Sequence, residues 1–285
     1  MIPFGGVSMR AGTPARITVV PCGFEVSTTF YQGTRFGPRR LLEASTEMEL
    51  FDLELGFSPW DGGITTLEEP PLSDSAGPVV DALASVIGEQ LDAGLFPLLL
   101  GGEHTVAVGG ARAVAPRVPG VGFLHVDAHA DYRFTYHDNP LNHACAARRL
   151  SELGPVVMAG IRSVSAEEWD ELRASSDIAV FPAHELRERG WQARVVDALP
   201  PVVYLTLDLD GLDPSVIPGV GNPEPGGIGW NEFIILLHEL FENRRVVGAD
   251  ICELRPIPGS PQSESAAARI AQRICGLHLR QIHGR

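Results

Sequence analysis

The sequence predicts an α/β protein whose mostly parallel sheet is covered on both faces by helices. Short apolar strands alternate with segments of helical period, the pattern of a wound parallel sheet. Three of those strands run straight into acidic or imidazole side chains, as expected where a site lies along the carboxyl edge of such a sheet. A length of 285 residues and an apolar content of 44% suffice for one large core, and no composition shift marks a boundary. One domain over residues 1–285 is therefore expected.

In chain order, Ile17-Thr18-Val19-Val20-Pro21 reads as the first strand. The segment from Phe57 to Pro78, rich in Gly, Pro and acidic residues, reads as loop. Val79, Val80, Leu83, Val86, Ile87 and Leu91 then recur at helical spacing, with Gly94 placed to stop the helix. Leu98-Leu99-Leu100 is a strand that ends in Gly101-Gly102-Glu103-His104. Val121-Gly122-Phe123-Leu124-His125-Val126 is a buried strand that delivers Asp127-Ala128-His129-Ala130-Asp131. Val156-Val157-Met158-Ala159 is another, followed by the capping-box pattern Ser165-Ala166-Glu167-Glu168 at the start of a helix. Val202-Val203-Tyr204-Leu205-Thr206-Leu207 runs into Asp208-Leu209-Asp210. Val246-Val247-Gly248-Ala249 is a late strand, and an Ala-rich helix from Ser263 to Cys275 closes the fold.

The formal charge is −14, with all 22 basic residues Arg. An acidic surface argues against nucleic acid or an anionic membrane as partner and suits cationic substrates. No stretch approaches eighteen consecutive apolar residues, so no membrane span is expected. No basic region followed by an apolar core opens the chain, so no secretory leader is expected and the cytoplasm is the predicted location. Cys22, Cys145, Cys252 and Cys275 form no paired spacing, which excludes a zinc clip or a disulfide framework and leaves reduced bystander thiols.

The chemistry gathers at three strand ends. In an extended backbone, residues two apart share a face, so Asp127, His129 and Asp131 are expected to point together, as are Asp208 and Asp210. With His104 they make two imidazoles and four carboxylates. That is too many for one catalytic ion that keeps an open position, and suits two ions bridged by shared carboxylates. An oxygen-rich set with some nitrogen favours Mn²⁺ over zinc. Two such ions, roughly 3.5 Å apart, can share a water and lower its pKa towards neutrality. A lone D-x-D or G-G-E-H would be weak, but three buried polar groups at one strand end have no cheap structural use.

These motifs resemble those of the ureohydrolases (arginase, agmatinase and relatives). The matching pieces are Gly101–His104, Asp127–Asp131, Asp208-Leu-Asp-Gly-Leu-Asp-Pro-Ser215, Pro218-Gly-Val-Gly-Asn-Pro-Glu-Pro-Gly-Gly227 and Asp250-Ile-Cys-Glu253. The resemblance implies a three-layer α/β/α sandwich with a central, mostly parallel sheet, the arginase-like fold. It implies two Mn²⁺ ions, one on His104, Asp127, Asp131 and Asp208, the other on Asp127, His129, Asp208 and Asp210. Glu253 matches the carboxylate that grips a guanidinium, and His143 the proton-shuttling histidine; either Asp131 or His143 would protonate the departing amine. A small cationic guanidino substrate, release of urea, and assembly as trimers or hexamers follow from the same resemblance.

Arginases usually follow the D-A-H-x-D motif with Asn and Ser/Thr residues that contact an α-carboxylate. Here Tyr132-Arg133-Phe134-Thr135-Tyr136 follows, which resembles the agmatinases, whose substrate is decarboxylated arginine. Gly33-Thr-Arg-Phe-Gly-Pro38 and Gly219–Pro225 lean the same way. Asn142 and Asn222 depart from the agmatinase pattern. With Arg133, they are expected to lie near the cleft mouth, Asn142 and Arg133 touching the substrate, which keeps N1-aminopropylagmatine and guanidinobutyrate open beside agmatine. His125, His137, His184, His238, His278 and His283 match no ligand spacing, and His125 is expected to be a hydrogen-bonded core imidazole. Two other readings compete. A zinc deacetylase of related fold would lack the second site that His104 and Asp131 supply. A silent binding protein would have lost a ligand, and all six are present.

Overall fold

The computed structural model describes residues 1–9 and 12–284. Its eight strands are β1 (Ile17–Cys22), β2 (Ile64–Thr66), β3 (Phe96–Gly101), β4 (Val121–Val126), β5 (Val156–Ile161), β6 (Ile178–Pro182), β7 (Val202–Asp208) and β8 (Arg245–Cys252). They form one sheet ordered β2-β1-β3-β8-β7-β4-β5-β6, with every pair parallel. The helices are α1 (Gly37–Ser45), α2 (Ala76–Asp92), α3 (Ala107–Val114), α4 (Ala146–Ser151), α5 (Ala166–Ala174), α6 (Trp191–Asp197), α7 (Trp230–Asn243) and α8 (Gln262–His283).

Strand parity sorts the core into two halves. Val19, Leu98, Leu100, Leu124 and Val126 point to the face covered by α1, α6, α7 and α8. Their neighbours Val20, Leu99 and Phe123 point to the opposite face, where side chains of α2, α3, α4 and α5 pack. The result is the three-layer α/β/α sandwich. Because helices cover both faces, β1, β3, β4 and β5 are buried along their whole length, which is why they read as continuous apolar runs. Local signals hold where expected. Ser165 and Glu168 close the capping box that opens α5, and Gly94, at φ +75°, ends α2 in the left-handed region.

The segment expected to be loop departs from that expectation. Residues 57–78 contain β2 and the first turn of α2, which begins at Ala76. β2 is only three residues long and lies at the sheet edge, paired with β1 alone, so its sequence carries too little alternation to be seen.

Strand order positions the site. β8 and β7, late in the chain, insert between β3 and β4, so four central neighbours bring their carboxyl ends side by side. The crevice where chain order is interrupted in this way is where open parallel sheets bind ligands. Among the described residues no helix is long and apolar enough to cross a membrane.

Candidate metal centre

The six proposed ligands meet at the ends of β3, β4 and β7, though not by the extended backbone expected of them. β4 stops at Val126, and Asp127 Oδ1 accepts a hydrogen bond from the His129 backbone N–H at 2.6 Å. β7 stops at Asp208, whose Oδ1 likewise accepts from the Asp210 N–H at 2.8 Å. Each motif therefore curls through a turn in which an aspartate caps the backbone two residues on. Asp131 sits at φ +47° and Glu253 at φ +66°, two of four non-glycine residues with positive φ among those described. Such strain collects at functional sites, where the surrounding structure must hold it. Gly211 lets these turns approach: a Cβ there would overlap the Asp127 backbone nitrogen.

His104 Nδ1 is ringed by carboxylate oxygens, with Asp127 Oδ2 at 3.1 Å, Asp131 Oδ2 at 3.2 Å and Asp208 Oδ2 at 3.4 Å. His129 Nδ1 lies 2.9 Å from Asp210 Oδ2 and 3.6 Å from Asp127 Oδ1. Asp127 thus turns one oxygen to each imidazole, the placement a bridging carboxylate requires. Adjacent ligands of an octahedral ion with bonds of about 2.0–2.3 Å lie about 2.8–3.3 Å apart, so the donor types and spacings fit two hard, oxygen-preferring divalent ions.

Residues that carried no ligand signal support this arrangement. His104 Nε2 is 2.8 Å from Thr206 Oγ1, which in turn donates to Asp250 Oδ1 at 2.8 Å. That chain takes the Nε2 proton and leaves Nδ1 as the nitrogen that binds a metal once its own proton is lost. His125 is fully buried and stacks on His104, rings 5.1 Å apart and 6° from parallel. It is the core imidazole expected, with Nε2 3.1 Å from Asp127 Oδ2, although neither ring nitrogen finds a hydrogen bond of good geometry.

Electrostatics of the cluster favour cations. Burial, with the charges of Asp210, Asp127 and Glu253, pushes the Asp208 carboxyl well above the usual carboxylate range. Burial and Asp127 raise Asp210, and raise Asp131 to about 6. Burial opposes charge on the imidazoles, yet Asp210 and Asp127 raise His129 to about 12, and Asp127 and Asp131 raise His104 well above its ordinary value. Every one of these raised groups holds its proton at higher pH than usual, and each must lose it to ligate. Divalent metal binding is therefore expected to release protons and to tighten as pH rises, beginning near 6 where Asp131 gives up its proton. Calorimetric titration of chelator-stripped protein with Mn²⁺, in two buffers of different ionisation enthalpy, checks this; equal heats in both would overturn it.

A cleft of about 130 Å³ opens above the cluster, lined by Thr28, Thr29, His129, Asp131, Arg133, Tyr136, His143, Ala144, Asp208, Asp210, Gly221, Asn222 and Glu253. Glu253 Oε1 accepts from the His104 N–H at 2.8 Å, and Gly221 lies beside Oε2. Burial and the neighbouring Glu103 charge raise the Glu253 carboxyl, so a cationic ligand is favoured there. His143 starts a short turn after Asn142, its ring edge-on to Tyr136. Burial, helped by positive charge on His129 and His104, pulls its pKa down to about 4 and keeps it neutral at ordinary pH.

The other two residues expected to touch substrate are placed differently. Asn142 is 3% exposed and turned to the backbone: Oδ1 accepts from the Ala144 N–H at 3.0 Å, and Nδ2 reaches the Tyr136 carbonyl at 3.5 Å. It caps the turn that carries His143 and is absent from the cleft wall. Arg133 does line the cleft, but its guanidinium lies over the Tyr136 ring, with Nε 3.6 Å from Glu168 Oε2. Asn222 also lines the cleft and donates to Thr29 Oγ1 at 3.4 Å.

A model of the arginase family matches residues 15–276. An N(1)-aminopropylagmatine ureohydrolase of Synechocystis sp. is 38% identical over 275 residues, covering 92% of this chain and 89% of its own. An agmatinase of Pyrococcus horikoshii is 30% identical, covering 90% of each chain. The crystal structure of the agmatine ureohydrolase of Thermoplasma volcanium superposes with a TM-score of 0.87 at 29% identity, over 95% of this chain and 92% of that one. Kinship of this extent, on a fold with the same layers, leaves one conclusion: the chain belongs to the arginase family.

Proposed function

We propose that the protein is a dinuclear manganese amidinohydrolase that cleaves a decarboxylated-arginine guanidine, agmatine or its N1-aminopropyl form, to urea and the corresponding amine. The observation that carries this reading is the convergence of five buried ligands, the half-buried His129 and the Glu253 carboxylate on one narrow cleft. One ion would be held by His104, Asp127, Asp131 and Asp208, the other by Asp127, His129, Asp208 and Asp210. When bound, the ions supply a water acidic enough to serve as nucleophile near neutral pH.

The chain's own groups do the rest. Glu253 Oε2 pairs with the guanidinium and sets its plane, a charge-assisted contact that favours the cation. The cleft walls hold the guanidino carbon against the nucleophile, a positioning effect worth several kcal/mol in such reactions. His143, neutral and buried at the cleft wall, takes up at its bare ring nitrogen the proton that the attacking water gives up and passes it to the departing amine, with Asp131 as the alternative carrier. The acidic floor suits a polyamine-like substrate. Arg133, the one arginine on the cleft wall among the described residues, is turned to Glu168 and Tyr136, which weighs against an arginine α-carboxylate as its partner.

Between the two substrates, the higher identity to an N(1)-aminopropylagmatine ureohydrolase than to an agmatinase favours the aminopropyl form. From the resemblance of its motifs we further propose a one-domain enzyme of the cytoplasm that assembles as a trimer or hexamer. The test is urea release by Mn²⁺-loaded protein with agmatine, N1-aminopropylagmatine, guanidinobutyrate and L-arginine in parallel. One of the first two should lead the others by at least about tenfold in kcat/KM, equivalent to about 1.4 kcal/mol. L-Arginine in the lead would overturn the substrate reading, and no urea from any of them with two metals bound would overturn the enzymatic one.

A further inference from the structure

Glu103 stands out among the buried groups that the proposed chemistry leaves unused. It lies between Gly102 and the ligand His104, is 0% exposed, and forms no ion pair with Arg or His among the described residues. A carboxyl in such a place is costly unless hydrogen bonds satisfy it. Four donors do so: Oε2 accepts from the Val26 and Ser27 backbone N–H groups at 2.7 and 2.6 Å, and Oε1 from the Thr105 and Ser27 hydroxyls, each at 2.6 Å. Glu103 is thereby tied to residues 26 and 27, next to Thr28 and Thr29 on the cleft wall.

Ser27 continues the chain towards His143. Its hydroxyl oxygen accepts from the His143 backbone N–H at 3.0 Å and lies 3.1 Å from His143 Nδ1. The hydroxyl has one proton to give, and two groups stand within reach. The carboxylate at 2.6 Å has the length of a charge-assisted O–H···O contact, whereas the ring nitrogen at 3.1 Å does not. With the proton committed to Glu103, Ser27 Oγ can only accept from Nδ1, so that nitrogen must carry hydrogen. In a neutral imidazole the other nitrogen is then bare. That nitrogen, Nε2, lies 3.5 Å from Thr29 Oγ1 on the cleft wall, and the Tyr136 ring stands edge-on to the imidazole with centroids 6.3 Å apart.

We infer that Glu103, Ser27 and His143 form a carboxylate–hydroxyl–imidazole chain that holds His143 as its Nδ1–H tautomer with Nε2 facing the substrate. Glu103 and Ser27 are then positioning residues for the proton carrier. The inference rests on the proposed reading of His143 as that carrier. It also gives the G-G-E-H motif two duties, since Glu103 and His104 are successive residues: His104 serves the metal cluster and Glu103 orders the proton carrier.

The test compares Ser27→Ala, Ser27→Thr, Glu103→Gln and His143→Ala in the Mn²⁺-loaded full chain. It follows kcat and KM for agmatine and N1-aminopropylagmatine, metal content and melting temperature. A second readout is the ¹⁵N resonances of His143 in the chain loaded with diamagnetic Mg²⁺, with His143→Ala identifying them. Ser27→Ala is expected to lower kcat about 10- to 100-fold, the effect of a misplaced catalytic group, with KM and bound Mn²⁺ unchanged. Glu103→Gln should act in the same sense, and Ser27→Thr, which keeps the hydroxyl, should recover most of kcat. The ¹⁵N signals should show a protonated Nδ1 and a bare Nε2, a preference lost in Ser27→Ala. Full activity of Ser27→Ala beside a crippled His143→Ala would overturn the inference and leave the carrier reading standing. Full activity of His143→Ala would remove the carrier reading and the positioning role with it. A protonated Nε2, or loss of metal or melting temperature in step with kcat, would overturn the inference by showing the wrong tautomer or a purely structural role.

Discussion

Asp127→Asn is expected to lower kcat/KM by about 10³-fold or more and to leave the protein unable to retain its full complement of Mn²⁺. Asp127 is fully buried and turns one oxygen towards His104 and the other towards His129. Three imidazoles, those of His125, His104 and His129, hold its carboxyl well below the usual carboxylate range despite burial. Asparagine matches its size and can still accept from the His129 N–H, so the turn should survive. It loses the charge that both ions would share, and several kcal/mol of transition-state stabilisation go with them. Metal analysis of the purified variant, urea release and far-ultraviolet circular dichroism together decide the matter. A folded variant with two ions bound and activity within tenfold of wild type would sink the bridging role.

Glu253→Gln is expected to leave metal binding largely intact and to lower kcat/KM by about 10²- to 10³-fold, the equivalent of about 3–4 kcal/mol for unpairing a buried charge-assisted contact. The amide can keep the bond from the His104 N–H through its oxygen. Its nitrogen would then stand where Oε2 stands, offering a donor to a guanidinium that has only donors to offer. Steady-state kinetics with agmatine and its N1-aminopropyl form check this, and an unchanged kcat/KM at full metal occupancy would remove Glu253 from substrate binding.

The residue types of the site were legible because each motif is a local event. An apolar run that ends in Asp127-Ala-His129 or Asp208-Leu-Asp210 announces both a buried strand and the polar cluster at its end. The path of the backbone between those ligands was not legible. Alternation in an extended chain gave the right companions for the wrong reason, since capped turns and a left-handed Asp131 bring them together. Asn142 shows the same limit: its position beside His143 suggested a substrate contact, while its side chain caps the turn beneath. Arg133 looked like a free cation at the mouth, and only the tertiary fold brings Glu168, from the first turn of α5, within reach of it.

The roles of the supporting partners were hidden. Thr206 and Ser27 carry no motif of their own, and Asp250 and Glu103 stand inside motifs that name no hydrogen-bond partner for them. The sequence by itself determined six of the eight strands, the parallel sheet covered on both faces and the residue types of the candidate site, because hydrophobic period and residue chemistry are properties of short segments. β2 and β6, the short strands at the two sheet edges, were not among them. Only the tertiary structure decided which group stands behind each site residue. β8 and β7 enter the sheet between β3 and β4, so His104, Thr206 and Asp250 become neighbours across 146 positions of chain. A hydrogen-bond chain of that kind depends on strand order and register, with Thr206 opposite Asp250, and neither is written in any one segment.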